Sequence, residues 1–276
     1  MALDFFMPLL TFPDPTDKDA LLRALDLAAR LGGRVTVQAG EVDIRNIRSF
    51  LGEALLDLSA MIADAEAKSR ARATELLGVA EAAAAGLQLP LVSQRLRGAP
   101  ELLPDMVAAA ARTSDYTILA ECGTEAQIAV AEAVLFGSGG PVLLMPGADM
   151  AFHAEVVAVA WDGSRAAARA VRDALPIIGG AKKVIILTVD DDKPLDSVRN
   201  DLLAEHLRYR GVVCEFARVG RGTLDIGDRL QQASLSAGAG LLVMGAYGHN
   251  RITEWVLGGA TRGVVSRRQM TVLMSH

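Results

Sequence analysis

The sequence has few aromatic residues, few cysteines and no long apolar run. Aromatic residues make up 4% of its 276 positions, and its two cysteines, Cys122 and Cys214, lack the paired spacing of a disulfide framework or a zinc site. No run of about 18 apolar residues exists, so the sequence predicts no membrane span. The opening MALDFFMPLLTF carries Asp4 where a signal peptide would carry basic residues, and it predicts a strand. We therefore expect a soluble protein of the reducing cytoplasm.

Basic charge and the common catalytic motifs are also missing. The formal net charge is -5, which argues against a general nucleic-acid binder. No GxxxxGK[ST] loop or GxSxG elbow is present, and neither half has a Rossmann fingerprint after its first strand. The acidic run Asp190-Asp191-Asp192 favours a solvated loop over a metal site, because adjacent side chains point in different directions. No positioned base or metal site is evident, so we expect no enzyme, or at most slow ATP hydrolysis.

Alternating strands and helices dominate what is present. Hydrophobic residues make up 51% of the chain, and continuous β-branched runs are typical of buried parallel strands. The second half predicts five strands separated by helical segments, at 155–162, 183–189, 212–219, 239–246 and 270–275. The first half follows the same course, with strands at 5–12, 34–40, 90–96, 115–120 and 141–146. This alternation predicts parallel sheets covered by helices.

Shared landmarks indicate that the two halves are a duplication. Gly32-Gly33 ends the first helix of one half as Gly179-Gly180 does in the other, and PVLL near the end of the first half matches TVLM in the second. The last helices share a Glu-x-Val-Leu pattern, at Glu132, Val134 and Leu135 and at Glu254, Val256 and Leu257. We therefore predict two α/β domains, residues 1–149 and 150–276. Two unrelated α/β domains remain the alternative.

A glycine-rich loop follows the fourth strand of the second half. The strand ends at Met244, Gly245 and Gly248 turn the chain, and Gly258-Gly259-Ala260-Thr261 closes the segment. Glycines let backbone N–H groups approach an anion, and a following helix N-terminus favours negative charge, so the pattern indicates phosphate binding. His249, Arg251 and Thr261 supply further donors near this loop. Ordinary turn glycines are the alternative interpretation.

The spacing of these glycines resembles the universal stress protein family. Its ATP-binding members carry Gly, two residues, Gly, nine residues and Gly, which Gly245, Gly248 and Gly258 match; Gly259 stands where the family usually has a hydroxyl or amide residue. The resemblance implies an adenine nucleotide alpha hydrolase-like fold with strand order 3-2-1-4-5. It also implies ATP, AMP or ADP as ligand, with Mg2+ as a companion. On the same resemblance Asp162, in the segment Ala160-Trp161-Asp162, contacts the nucleoside, and Val189 packs on the adenine.

The first half does not keep this loop. Gly123 stands alone where two glycines are expected, and Glu121 would place negative charge beside a bound phosphate. Asp14 lies near the position of Asp162 but is displaced within PDPTD. We therefore expect one nucleotide per chain, bound in the C-terminal half.

Two further expectations concern function and assembly. The leading hypothesis is a stress-response regulatory protein controlled by an adenine nucleotide, with an unnamed protein partner and with neither nucleic acid nor membrane as partner. A nucleotide-independent interaction scaffold with vestigial pockets and a slow ATP hydrolase are the alternatives. The family resemblance implies that the fifth strand is a sheet edge, so the two apolar fifth strands, 141–146 and 270–275, are expected to pair with each other. A homodimer would then form through helical surfaces.

Overall fold

The computed structural model describes residues 2–44, 58–146, 152–190, 197–220, 222–246 and 259–276. It divides the chain into two units, Met1–Ser138 and Gly139–His276. Each unit alternates strands with helices, as the sequence predicts. Among the described residues, no helix combines the length and the apolar character needed to cross a membrane.

The described residues of the first unit form four parallel strands in the order β3-β2-β1-β4. Its elements are β1 (Leu3–Leu9), α1 (Lys18–Leu31), β2 (Gly33–Val42), α2 (Leu58–Leu87), β3 (Leu91–Gly98), α3 (Leu103–Ala110), β4 (Tyr116–Leu119) and α4 (Glu125–Gly137). Strand β1 is central and almost fully buried, because its residues are apolar on both faces of the sheet.

Helix α1 shows how local sequence sets the element boundaries. Asp17 caps its start, since its carboxylate accepts from the Ala20 N–H at 3.0 Å. Gly32 ends the helix in the left-handed region with φ 73°, a conformation that glycine adopts without steric cost. The helix stop predicted at Gly32-Gly33 is therefore confirmed.

In the second unit, the part of the chain that the structure describes forms six strands in the order β5-β10-β9-β6-β7-β8. Its elements are β5 (Val142–Leu144), β6 (Val156–Ala160), α5 (Arg165–Ile178), β7 (Lys183–Asp190), α6 (Ser197–Tyr209), β8 (Cys214–Gly220), α7 (Ile226–Ser236), β9 (Leu241–Gly245), α8 (Gly259–Ser266) and β10 (Thr271–Ser275). Strands β6 to β10 are parallel, and in their own chain order they run 3-2-1-4-5, which confirms the predicted order for this half.

Strand β5 belongs to the second unit by its contacts. It pairs antiparallel with β10 in the register Val272 to Leu144, Leu273 to Leu143 and Met274 to Val142. The predicted pairing of the two fifth strands is thus confirmed, and the sheet is mixed. The division of the chain falls before β5, between Ser138 and Gly139. The domain limits 1–149 and 150–276 stay a prediction from the sequence repeat.

The predicted strands differ from those in the structure by a few residues at one or both ends. The first strand was expected to reach residue 12, but β1 ends at Leu9 because Leu10 and Thr16 close a turn through two hydrogen bonds of 2.9 and 3.0 Å. The third strand of the second half was expected from residue 212, and β8 begins at Cys214. The helix expected from residue 251 is described only from Gly259 onward, as α8.

Candidate functional site

The candidate site lies where the carboxyl ends of β6 and β9 meet. These strands are neighbours, with Val157 opposite Leu241 and Val159 opposite Val243. The chain continues from β6 through α5 to β7 on one side, whereas β9 is followed by α8 and by β10 on the other. Such a reversal of strand order leaves a crevice outside the carboxyl ends, where open α/β sheets bind ligands.

Asp162 forms the turn between β6 and α5. Its Oδ1 accepts from the Ser164 N–H at 2.9 Å, and Gly163 between them has a φ of 71°. Ser164 then caps α5, because its hydroxyl accepts from the Ala167 N–H at 3.1 Å. The Asp162 side chain is exposed, so its other carboxylate oxygen remains accessible for a ligand hydroxyl or amine.

Gly245 ends β9 in direct contact with the first turn of α5. A Cβ at this position would lie 2.5 Å from the Ala166 carbonyl carbon and 2.5 Å from the Ala167 nitrogen. Its backbone needs no left-handed conformation. The requirement for glycine here is therefore a close approach of strand to helix, and this contact holds the Asp162 turn beside the end of β9.

The N-terminal end of α5 is electropositive. A helix N-terminus carries partial positive charge, and Arg165 is the first residue of α5. The imidazole of His276 is affected by positive charge at this end of the helix. Burial lowers its pKa, and the positive charges of Arg165 and Arg169 lower that pKa further. An anion at this end of the helix would meet a favourable field.

The other described residues of the predicted site occupy three neighbouring strand ends. Ala160 and Val189 are half-buried at the ends of β6 and β7, and Met244 is buried at the end of β9. Trp161 continues β6 by donating its N–H to the Leu187 carbonyl at 2.8 Å. Its indole Nε1 is buried and has no hydrogen-bond partner among the described residues.

The glycine loop itself is described only at its two ends. Gly248, His249, Arg251 and Gly258 lie outside the described residues. Gly259 begins α8, followed by Ala260, and Thr261 is buried within the first turn of that helix. The described part of the chain therefore resumes within α8, and the residues before Gly259 lie outside it.

The matching crevice of the first unit is almost closed. It lies at the carboxyl ends of β1 and β4 and encloses about 20 Å³. Its lining is Pro8, Leu10, Thr16, Leu119, Ala120, Glu121, Gln127 and Val130. This volume is enough for about one water molecule. A neighbouring cavity of about 390 Å³ shares Thr16 and is lined by the start of α1 and by residues of α2.

Metal and disulfide chemistry find little support in the described structure. No group of three or more His, Cys, Asp or Glu side chains could hold a metal ion within the described residues. Asp190 ends β7, while Asp191 and Asp192 lie outside the described part of the chain. Neither cysteine is in a disulfide, and burial raises the pKa of the Cys214 thiol despite the nearby charge of Arg208.

Sequence reasoning did not identify two residues that shape these crevices. Ser164 caps α5 and so fixes the geometry of the Asp162 turn. Gln127 forms a capping box with Thr124 at the start of α4. The pattern Thr-x-x-Gln at 124–127 is a recognised signal for such a box and could have revealed it.

Comparison with known proteins rests on structure. Neither a protein-family model nor a curated protein matches the sequence. A universal stress protein from Archaeoglobus fulgidus DSM 4304 matches with a TM-score of 0.68 and 20% identity, covering 98% of this chain and 97% of that one. This chain has the universal stress protein fold.

Two other solved structures are similar to smaller degrees. A protein from Pseudomonas aeruginosa UCBPP-PA14, provisionally described as a universal stress protein, has a TM-score of 0.55 and 14% identity over 99% of this chain and 93% of that one. A universal stress protein solved in complex with cAMP covers 44% of this chain and 97% of its own, with 24% identity and a TM-score of 0.33. The two matches that cover nearly the whole chain, at TM-scores of 0.68 and 0.55, establish the universal stress protein fold and leave the ligand of this chain to its own residues.

Proposed function

We propose that this chain is a tandem universal stress protein, built from two repeats of five strands each. In this proposal its C-terminal half binds ATP or a related adenine nucleotide and acts in a stress response. The observation that carries the proposal is the placement of Asp162 and Gly245 on adjacent strand ends at the switch point, where the close contact of Gly245 with α5 holds them together.

The nucleoside and the phosphates would bind on different sides of this crevice. The accessible oxygen of Asp162 would accept from ribose hydroxyls or the adenine amine, with Val189, Ala160, Trp161 and Met244 beside the base. The phosphates would lie along the loop from Gly245 to Thr261, where Gly248, His249, Arg251, Gly258, Gly259 and Ala260 offer backbone or side-chain donors, with Mg2+ as counterion. AMP and ADP fit the same arrangement.

One nucleotide per chain is part of the proposal. The first unit offers a crevice of about 20 Å³ with the Glu121 carboxylate in its lining, which disfavours a phosphate by volume and by charge. Binding would therefore shift an equilibrium of the second half alone. A homodimer through helical surfaces, an unnamed protein partner and a cytoplasmic location remain predictions from the sequence.

The interaction scaffold without nucleotide is the competing proposal. Gly259 favours it, because the hydroxyl usual at that position is replaced by a residue with no side chain. Slow ATP hydrolysis is a further alternative, and it would appear as phosphate release that a Gly245 substitution abolishes.

Calorimetry of two variants tests the nucleotide proposal. Gly248→Val places a branched side chain where the backbone must approach the phosphates, and we expect it to abolish ATP binding with the circular dichroism spectrum unchanged. Gly220→Val is the matched control, because a Cβ at Gly220 meets no atom within 4 Å. Unchanged affinity of Gly248→Val would assign the phosphates elsewhere, and absence of binding in the parent chain would favour the scaffold.

Asp162→Asn tests the nucleoside contact separately. Asparagine keeps an oxygen that accepts from the Ser164 N–H, so the turn should survive. A charge-assisted hydrogen bond to the nucleoside contributes about 1.5–3 kcal/mol, so we expect affinity to fall by roughly ten- to a hundredfold.

Titration of the parent with ATP should give one site per chain. Two equivalent sites would contradict the proposed difference between the halves.

A further inference from the structure

The Glu121 carboxylate occupies the crevice of the first unit. Glu121 follows β4 directly after Ala120, and its Oε2 accepts from the Asp17 N–H at 2.8 Å. Asp17 is the cap residue of α1, so this hydrogen bond brings a negative charge to the positive end of a helix of 14 residues. The distance in sequence between Glu121 and Asp17 is 104 residues, so the contact is tertiary and not a local turn.

A buried amide donates to the same carboxylate oxygen. Gln127 is 7% exposed, and its Nε2 donates to Glu121 Oε2 at 3.3 Å. Its Oε1 accepts from the Gly123 N–H at 2.7 Å and from the Thr124 N–H at 3.1 Å, which fixes the orientation of the amide. The amide nitrogen that donates to Glu121 is therefore oriented by hydrogen bonds that do not involve Glu121.

The helix cap does not compete for this role. The Asp17 carboxylate accepts from the Ala20 N–H at 3.0 Å, whereas the Asp17 N–H donates to Glu121. The turn before it is also fixed, because Thr16 and Leu10 bond to each other twice. Two donors, the Asp17 N–H and the Gln127 amide, thus converge on a single acceptor oxygen.

We propose that the first unit has a carboxylate-binding position at its switch point, made by the Asp17 N–H and the Gln127 side chain, and that the chain fills it with its own Glu121. Glu121 is an internal ligand at this position. An external anion cannot occupy this position as long as Glu121 stays bound. This inference concerns the first unit alone and holds whether or not the second unit binds nucleotide.

Removal of the carboxylate should leave a position that a small carboxylate can refill. Glu121→Ala deletes the acceptor and opens a space of the size of formate or acetate beside the two donors. In the full chain, amide hydrogen exchange measured by mass spectrometry should show the Asp17 N–H exchanging at least tenfold faster than in the parent. Formate should restore its protection in a saturable manner, while chloride at equal ionic strength should not.

Two controls separate this result from a general effect of salt or of a lost carboxylate. Glu81→Ala removes an exposed carboxylate that accepts from the Ser93 hydroxyl at 2.6 Å, and neither it nor the parent should show protection of Asp17 specific to formate. The proposal is overturned if Glu121→Ala leaves Asp17 exchange at the parent rate, or if formate protects no better than chloride.

A conservative variant covers the case in which Glu121→Ala does not fold. Glu121→Gln keeps the shape and one acceptor oxygen but removes the negative charge. We expect it to fold, to exchange the Asp17 N–H faster than the parent and to be indifferent to formate, because the position is still filled. Parent-like protection of Asp17 in this variant would show that the position has no preference for an anion, and would refute the proposal.

Discussion

Substitution of Gly245 by alanine tests why glycine is required at the end of β9. The added Cβ would lie 2.5 Å from two backbone atoms of α5, at Ala166 and Ala167, and 2.8 Å from the Ala166 Cβ. Ordinary van der Waals contact begins near 3.4 Å, so the strand and the helix must separate by about 0.9 Å. No flexible side chain can move aside, because the atoms in the way are mostly backbone.

The size of the effect follows from two opposing contributions. Overpacking of this kind costs about 1–3 kcal/mol, and contact with backbone places Gly245→Ala toward the upper end. Loss of glycine flexibility in the unfolded chain recovers about 0.4–1 kcal/mol. We therefore expect a net loss of about 2 kcal/mol, which corresponds to a fall of about 1 M in the urea midpoint for an m-value near 2 kcal/mol/M.

Tryptophan fluorescence makes the measurement specific. Both tryptophans, Trp161 and Trp255, belong to the second unit, so the urea transition followed by their emission reports that unit. Gly220→Ala is the matched control, since its Cβ would meet open space, and its midpoint should stay within about 0.3 M of the parent. If Gly245→Ala unfolds at the parent midpoint without ligand, the packing explanation is wrong and a role confined to phosphate binding becomes the better one.

Two further predictions concern the β5–β10 pair and the two cysteines. Val272→Lys buries a charge in the β5–β10 pair, so it should lower the free energy of unfolding by at least about 3 kcal/mol and raise protease cleavage near residues 147–155. The control Val213→Lys, at a position that is 81% exposed, should do neither. Equal protease resistance of the two variants would contradict the pairing. The Cys214 thiol should react with a disulfide reagent more slowly than free cysteine and reach half its maximal rate at higher pH, because burial raises its pKa and less thiolate is present at pH 8. Cys122, which is fully buried, should react only on unfolding. A Cys214 rate equal to that of free cysteine would contradict its burial.

The sequence predicted the architecture well because each element is locally consistent. Continuous apolar runs marked the central strands, and the glycine pair at 32–33 marked the end of α1. The strand order of the second half and the pairing of the two fifth strands both came from the family resemblance. The order is confirmed by the pairing of β6 to β10, and the fifth-strand pairing by the register of β5 with β10.

The contacts that define the crevices were not predictable from local patterns. Gly245 looks like a loop glycine in sequence, and only its distance to α5 shows that a packing contact requires it. Glu121 was expected to repel a phosphate, yet its bond to Asp17 depends on a partner 104 residues away. Such pairings arise from tertiary structure, so no spacing rule within one segment could have supplied them.

The location of β5 determines where the chain can be cut. A fragment that begins at residue 150 would keep β10 but lose its antiparallel neighbour, so the apolar backbone edge at Val272, Leu273 and Met274 would face water. The exposed edge would pair with other strands, including β10 of a second fragment, so the fragments would dimerise or aggregate. A fragment that begins at Gly139 keeps β5, which pairs with this edge. The repeat boundary predicted from the sequence and the division of the chain by its contacts therefore differ by one strand.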